Sequence, residues 1–460
     1  MINILKSLIV GLVASLSFEP IAIWVFAIVG LAFWYQLISQ QNLKQRLQTS
    51  YFFGLGVLLP TQMWTGIYVG NLPWLILCVA QACFFMIPAF FVGKAKKFNQ
   101  IAFICSYGIV ELTLRTLPFT GFGWSRLAFS QIDSPLSSIY PLLGVAAVAL
   151  FVAWFATVRS LIAFLYPALM VLCASFIPNP VIIDGSLRVA LVQGGVVNLG
   201  LDFNDKPKEV FHRHLNQTQN SILPNQADLI VWPENAVDVD IFKNNDVMQA
   251  ITDLSLELKT PILIGGVTNS PNPRNQSMLF DPNLKQVYTK RYLTPFGEYL
   301  PLRTLAERLS PYAKEIKDFD AGVDPIVFQI DNHEFRSLIC YELLDDRFSV
   351  QNNMDFLIIQ TNNATFGDTA QLDQQLNIGK VRAAESSRHI GYVSTTGTSS
   401  FINSDGKIES KLDKFNPGTL VSNINISSGS TYAQRYGWLV EPLAIMALLA
   451  LLMIRRWRSQ

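Results

Sequence analysis

The feature that most constrains this chain is a succession of apolar runs filling its first 178 residues. A hydrocarbon core of about 30 Å calls for about 20 mostly apolar residues in a helix. Inside such a core only helices and closed barrels satisfy their own backbone polar groups. Seven spans are expected in this region, at 4–18, 21–38, 51–69, 72–93, 101–117, 136–157 and 161–177, and an eighth at 437–454. The first is short enough to resemble a signal-peptide core. The next apolar run follows after only Glu19-Pro20, with no small-residue cleavage site between, which favours a span.

Lys and Arg are retained on the cytoplasmic side of a bacterial membrane. Lys44 and Arg46 follow the second run, Lys94, Lys96 and Lys97 the fourth, Arg159 the sixth, and Arg455, Arg456 and Arg458 the last. The gaps after the first and third runs hold no Lys or Arg. Alternation then expects both termini in the cytoplasm and the segment between the seventh and eighth runs outside it. Arg126 is the exception. Its segment, 118–135, carries Phe119, Phe122, Trp124 and Phe129 with glycines at 121 and 123. Aromatic enrichment of this kind suits an interfacial loop or the lining of a lipid entrance.

Only 15% of the chain is charged, against about 25% in an ordinary soluble domain, and the deficit is concentrated in the apolar runs. Three parts are expected: a membrane bundle over 1–180, a soluble α/β domain over 186–435, and a C-terminal span with a basic tail over 437–460. A net charge of +1 gives no support for a nucleic-acid partner, which would need a basic patch. Four cysteines, Cys78, Cys83, Cys105 and Cys173, lie within apolar runs, where a thiol behaves as a small hydrophobe. Cys340 alone lies in the soluble part and has no local disulfide partner.

Within 186–435, β-branched runs recur at 188–193, 228–232, 261–267, 286–290, 336–341, 355–360 and 391–394, with helical patterns at 207–222, 246–258 and 370–388. The last reads as amphipathic, with one apolar and one polar face. Ser404-Asp405-Gly406 signals a hairpin. Strands with intervening helices predict an α/β fold around a largely buried sheet.

Glu234, Lys290 and Cys340 each close such a run, in Leu-Ile-Val-Trp-Pro-Glu, Val-Tyr-Thr-Lys and Ser-Leu-Ile-Cys. In α/β sheets, sites collect beyond the carboxyl ends of strands. A thiol attacking an ester or amide needs a base, since free Cys has a pKa of about 8.5, and Glu234 can supply it. Lys290 and the backbone N–H after Cys340 can stabilise the oxyanion, and Glu298 can orient Lys290 or the leaving group's proton. The plain alternative is a packed cysteine with solvated charges at strand ends. His212 and His214, two apart on a helix, point to different faces and suggest no metal site.

Val-Trp-Pro-Glu (231–234), Tyr-Thr-Lys with Leu-Thr-Pro-Phe-Gly-Glu-Tyr-Leu-Pro (288–301) and Ile-Cys-Tyr-Glu (339–342) resemble the motifs of the nitrilase superfamily. Together with eight spans they resemble its membrane-embedded branch, the apolipoprotein N-acyltransferase family. The resemblance implies an αββα sandwich, with Glu234 as general base, Lys290 as oxyanion stabiliser and Cys340 as nucleophile. It further implies Glu298, Tyr341 and Glu342 as supporting residues, and no cofactor or metal. Implied partners are a membrane phospholipid as acyl donor and an S-diacylglyceryl-cysteine lipoprotein as acceptor, with Cys340 carrying the chain as a thioester. Gln193-Gly194-Gly195, Phe203 and Asn362-Asn363-Ala364-Thr365-Phe366 depart from the common family pattern, the last resembling the actinobacterial branch. A hydrolase with water as acceptor, and an inactive scaffold, are the alternatives to acyl transfer.

Overall fold

The computed structural model describes residues 2–93, 98–269, 271–309, 311–314, 316–348 and 354–457. Lys94, Lys96, Lys97 and Arg458 of the charge pattern lie outside the described residues. The chain forms two compact units, Met1–Pro180 with Thr431–Gln460, and Val181–Ser430.

The first unit begins with α1 (Ile2–Ser15), α2 (Val25–Ser39), α3 (Leu43–Thr61), α4 (Asn71–Ala82), α5 (Ile87–Phe91), α6 (Asn99–Thr116), α7 (Tyr140–Thr157) and α8 (Leu161–Ala174). Three stretches among the described residues are long and apolar enough to cross a membrane: Asn71–Phe91, Pro135–Thr157 and Tyr432–Trp457. Asn3–Ser15, Val25–Ser39 and Leu161–Ala174 are apolar but shorter. The run at 51–69 is not one helix. An Asn42/Gln45 capping box starts α3 earlier, and the helix ends at Thr61, just past Pro60. Helices α1 and α3 meet backbone to backbone. A Cβ on Gly11 would lie 2.2 Å from the Phe53 carbonyl oxygen, and one on Gly56 2.4 Å from that of Leu8, the close approach that small residues permit between apolar helices.

Segment 118–135, expected as an interfacial loop or the lining of a lipid entrance, is largely buried within its unit. It folds into short 3₁₀ turns (Gly123–Ser125, Leu127–Gln131) with Trp124, Leu127, Phe129 and Ile132 buried. Glu111 of α6 compensates for the missing helical bonds. Its carboxylate accepts from Tyr107 Oη (2.9 Å), the Ala128 N–H (3.1 Å) and Arg126 Nε (3.4 Å). Arg126 is fully buried against it and over the Phe129 ring. Its charge is therefore neutralised inside the unit, which explains why it does not fit the pattern of loop charges.

The second unit contains β1 (Ile182–Gln193), α9 (Glu209–Ser221), β2 (Leu229–Val231), α10 (Asn245–Leu258), β3 (Ile262–Asn269), β4 (Pro273–Phe280), β5 (Leu284–Thr289), α11 (Arg303–Leu309), β6 (Phe328–Ile330), β7 (His333–Ile339), β8 (Phe356–Thr361), α12 (Gln371–Ser386), β9 (Ile390–Ser394), β10 (Ser400–Ile402), β11 (Ile408–Lys411) and β12 (Gly418–Ser428). It has two six-stranded sheets, ordered β12-β1-β2-β3-β4-β5 and β11-β10-β9-β8-β7-β6. Each has a parallel centre, β1-β2-β3 and β7-β8-β9, flanked by antiparallel strands. Leu191, Val231 and Leu263 of the first sheet pack against Phe335, Ile358 and Val393 of the second. Phe211 of α9 and Ile251 and Leu254 of α10 cover the first sheet's other face through Val192, Ile230 and Trp232. Helix α12 approaches β9 over Gly379, where an added Cβ would lie 3.2 Å from the Tyr392 ring. The helix–sheet–sheet–helix layering is the nitrilase-like α/β arrangement expected. The chain then returns to the first unit through α13 (Tyr432–Tyr436) and α14 (Val440–Trp457).

One expectation is corrected. Helix α12 has no solvated polar face, because Gln371, Gln374, Gln375, Asn377, Arg382 and Glu385 are all buried.

Candidate active site

Glu234, Lys290 and Cys340 follow the ends of β2, β5 and β7, Glu298 lies in the connection after Lys290, and the structure brings them together. β2 delivers Glu234 through Trp232-Pro233, with the Trp232 N–H on the Leu263 carbonyl (2.8 Å). Beneath this turn Gly265 of β3 is so close that an added Cβ would lie 2.4 Å from the Pro233 oxygen. Both Glu234 oxygens are held: Oε1 accepts from Asn275 Nδ2 (2.7 Å) and Oε2 from the Asn362 N–H (2.7 Å). The same Asn275 Nδ2 donates to Glu298 Oε1 (2.8 Å), so one amide group fixes two carboxylates.

Lys290 follows β5 and is almost fully buried. Its Nζ lies 2.8 Å from Glu298 Oε2 and 3.7 Å from Glu234 Oε1. Glu298 is fixed in turn by the Thr294 N–H (2.8 Å). Burial alone would depress the lysine's pKa, but Glu298 and Glu234 outweigh it and hold the ammonium charged. Burial raises Glu234 above the ordinary glutamate range, against the pull of Lys290 and with the repulsion of Glu298.

Cys340 ends β7 at a positive φ of 49°, a conformation that costs a non-glycine residue about 1 kcal/mol or more. It is partly exposed. Its thiol is pushed up to about 12, chiefly by burial and next by Glu234, with Lys290 and a hydrogen bond from Gln375 opposing. Tyr341 is buried beside it. Glu342 turns away, into the protein. Its Oε1 accepts from Tyr288 Oη (2.7 Å) and the N–H groups of Arg291 (2.8 Å) and Tyr292 (3.3 Å), and its Oε2 from the Ile339 N–H (2.8 Å). It ties the end of β5 to the end of β7. A carboxylate that can take a proton, a fixed ammonium and a thiol within one buried cluster are the parts needed for attack on a carbonyl carbon.

Asn275 and Gln375 contact these groups directly and were not foreseen. Asn275 sits on β4, whose Pro-Arg-Asn-Gln start carries no strand signal. Gln375 lay in the helical pattern at 370–388, among residues read as a polar face. His214 is buried and His212 exposed, as their spacing required. Among the described residues no group of three His, Cys, Asp or Glu side chains is placed to hold a metal ion.

Residues 188–434 match the carbon-nitrogen hydrolase model, which spans over half of the chain. The chain belongs to the carbon-nitrogen hydrolase family. Unlike a free-standing member of that family, it also matches the apolipoprotein N-acyltransferase N-terminal domain, over residues 10–158. Among similar carbon-nitrogen hydrolase relatives, the apolipoprotein N-acyltransferase of Mycolicibacterium smegmatis is 29% identical, with 96% of this chain and 83% of the relative covered. That of Haemophilus influenzae is 26% identical, with 98% and 94% covered. A CN-hydrolase superfamily protein from Xanthomonas campestris superposes with a TM-score of 0.40 at 16% identity, covering 56% of this chain and 96% of the other. The two family models and the two relatives bear out the family resemblance.

Proposed function

We propose that this carbon-nitrogen hydrolase is a phospholipid:apolipoprotein N-acyltransferase. It would act in the bacterial plasma membrane through eight spans, with 1–180 as the membrane bundle, 186–435 as an extracytoplasmic catalytic domain and 437–460 as the last span and cytoplasmic tail. The observation that carries the reading is the buried Glu234–Lys290–Glu298 cluster beside Cys340, in a chain whose residues 10–158 match the N-terminal domain of apolipoprotein N-acyltransferases.

In the proposed reaction Glu234 accepts the Cys340 S–H proton as Sγ attacks the ester carbonyl carbon of a phospholipid. The oxyanion is met by the Lys290 ammonium and the Tyr341 N–H. The C–O bond breaks, the proton passes to the departing alkoxide, and a lysophospholipid leaves behind a thioester. The α-amine of an S-diacylglyceryl cysteine then attacks the thioester carbon. Glu234 takes the amine proton, the C–S bond breaks, and the thiolate recovers the proton as the amide forms. Splitting the transfer lets two lipid substrates use one site in turn. Glu298 holds Lys290, while Glu342 and Tyr341 fix the backbone around Cys340.

The test is expression in a bacterium depleted of its own transferase, with mass spectrometry of a reporter lipoprotein. The wild type should yield triacylated lipoprotein, and Cys340→Ala only the diacylated form. Release of free fatty acid without amide formation would mark a hydrolase instead. Triacylation by Cys340→Ala would overturn the mechanism.

A further inference from the structure

The sulfur of Cys340 has a polar neighbour outside the Glu–Lys cluster. Gln375, in the second turn of α12, places its Nε2 3.3 Å from Cys340 Sγ. The orientation of this amide is imposed from behind. Its Oε1 accepts from Asn363 Nδ2 (2.6 Å) and from Gln371 Nε2 (3.2 Å), so the oxygen is occupied by N–H donors and the NH₂ must face the sulfur. Asn363 is fixed in turn. Its Nδ2 also donates to Gln371 Oε1 (2.8 Å), and its Oδ1 accepts from Ser394 Oγ (2.5 Å) and Thr361 Oγ1 (3.0 Å). Ser394 Oγ receives the Gly397 N–H (2.8 Å). Gln375, Gln371, Asn363, Thr361 and Ser394 are all buried, where a fixed dipole counts for more than it does in water.

We infer that Gln375 is a catalytic residue that donates a hydrogen bond to the Cys340 sulfur whenever it carries negative charge, with Asn363 as the positioning residue that fixes the donor. Two moments need it, and both belong to the thioester route proposed above, on which the inference rests. The first is loss of the S–H proton to Glu234. The second is cleavage of the C–S bond during aminolysis, when sulfur leaves with the bonding electron pair before recovering its proton. A hydrogen bond to an ionised acceptor is about twice as strong as one to a neutral acceptor. Gln375 therefore favours the charged sulfur over the thiol and over the thioester. Lys290 and the Tyr341 N–H are assigned to the oxyanion, so the division of labour is one donor set for oxygen and one for sulfur.

Two near-isosteric variants test this in the full-length protein in detergent. Gln375→Glu keeps an oxygen for Asn363 and Gln371 to donate to, and replaces only the N–H facing sulfur. Gln375→Met removes the donor without adding charge. The first readout is alkylation of Cys340 by iodoacetamide as a function of pH, followed at the Cys340 peptide by mass spectrometry. The second is the ratio of the two half-reactions, from accumulation of intact acyl-enzyme. Both variants should move the alkylation profile to higher pH by about one unit, Gln375→Glu the further. Both should also slow amine-dependent decay of the acyl-enzyme about tenfold. Ser394→Ala, which loosens Asn363 but leaves the donor, should show a smaller shift in the same direction. A Gln375→Glu protein that melts like wild type, with an unmoved alkylation profile and unchanged half-reactions, would overturn the inference. Should Gln375→Met fail to fold, Gln375→Glu and Ser394→Ala still decide it. Alkylation needs no acyl donor. Failure of the phospholipid reading would thus appear as no acyl-enzyme on the wild type, while the thiol profile still reports on Gln375.

Discussion

At the scale of the residue, the site is a problem in proton placement. The Cys340 thiol, pushed up to about 12, holds almost no thiolate at neutral pH, so attack requires proton removal in the same event. Glu234 is suited to it because burial raises its pKa and makes it a stronger base than an exposed glutamate. Glu234→Gln should therefore slow acyl-enzyme formation on the order of 10²–10⁴-fold, measured as single-turnover thioester formation. The sign of the pH dependence follows from the same shift. The base works only when ionised, so the rate should be full at high pH and fall as pH drops through the raised pKa of Glu234. That acid limb should lie above the ordinary glutamate value of 4.5 and vanish in Glu234→Gln. A limb at or below that value would contradict the assignment. The three residues of this argument were legible in the sequence because each closes an apolar run with a group of distinct chemistry. Asn275 and Gln375 were not. Amides are common in loops and helices, and only the fold reveals that one clamps two carboxylates while the other faces a sulfur.

At the scale of the element, the site depends on how strand ends are tied together. Glu342 accepts three bonds at one oxygen, from Tyr288, Arg291 and Tyr292, and one at the other, from Ile339. Glu342→Gln puts an NH₂ where an oxygen stood. Whichever way the amide turns, it faces at least one N–H donor. The variant should lose about 1–3 kcal/mol of stability in denaturant unfolding. Its acyl transfer should fall as well, because the ends of β5 and β7 carry Lys290 and Cys340. Wild-type stability with normal activity would show that the carboxylate is dispensable to the elbow. The buried parallel strands were readable from their β-branched runs, as at 355–360 and 391–394. β4, β6 and β12 were not, since the first starts with Pro273, Arg274 and Asn275, the second has three residues, and the third alternates Ser and Asn with its apolar positions. Helix α12 misled for a physical reason. Gln371 and Gln375 bond to each other, to Asn363 and to Cys340, and Arg382 bonds to Glu385, Asp346 and the Leu343 carbonyl.

At the scale of the whole molecule, the question is on which side of the membrane the thiol works. Among the described residues, three stretches meet the length and apolarity of a span on their own. The others are short, or carry charge as α3 does with Lys44 and Arg46 and α6 with Glu111 and Arg115. Length alone therefore does not fix the topology, and charge has to decide. The burial of Arg126 against Glu111 removes the one charge that disagreed with alternation. On the proposed topology Lys44, Arg159, Arg455 and Arg456 would lie together on the cytoplasmic side, where positive charge is retained. Two exposed positions test this directly. Lys44 lies at the start of α3, and Asp405 at the tip of the hairpin between β10 and β11. In intact cells a membrane-impermeant maleimide should label Asp405→Cys and leave Lys44→Cys unmodified until the membrane is permeabilised. The wild-type protein provides the background from its native thiols. The opposite pattern would place the Cys340 domain in the cytoplasm. A lipoprotein acceptor delivered to the outer face could not then reach it, and the proposed transfer would fail with the topology.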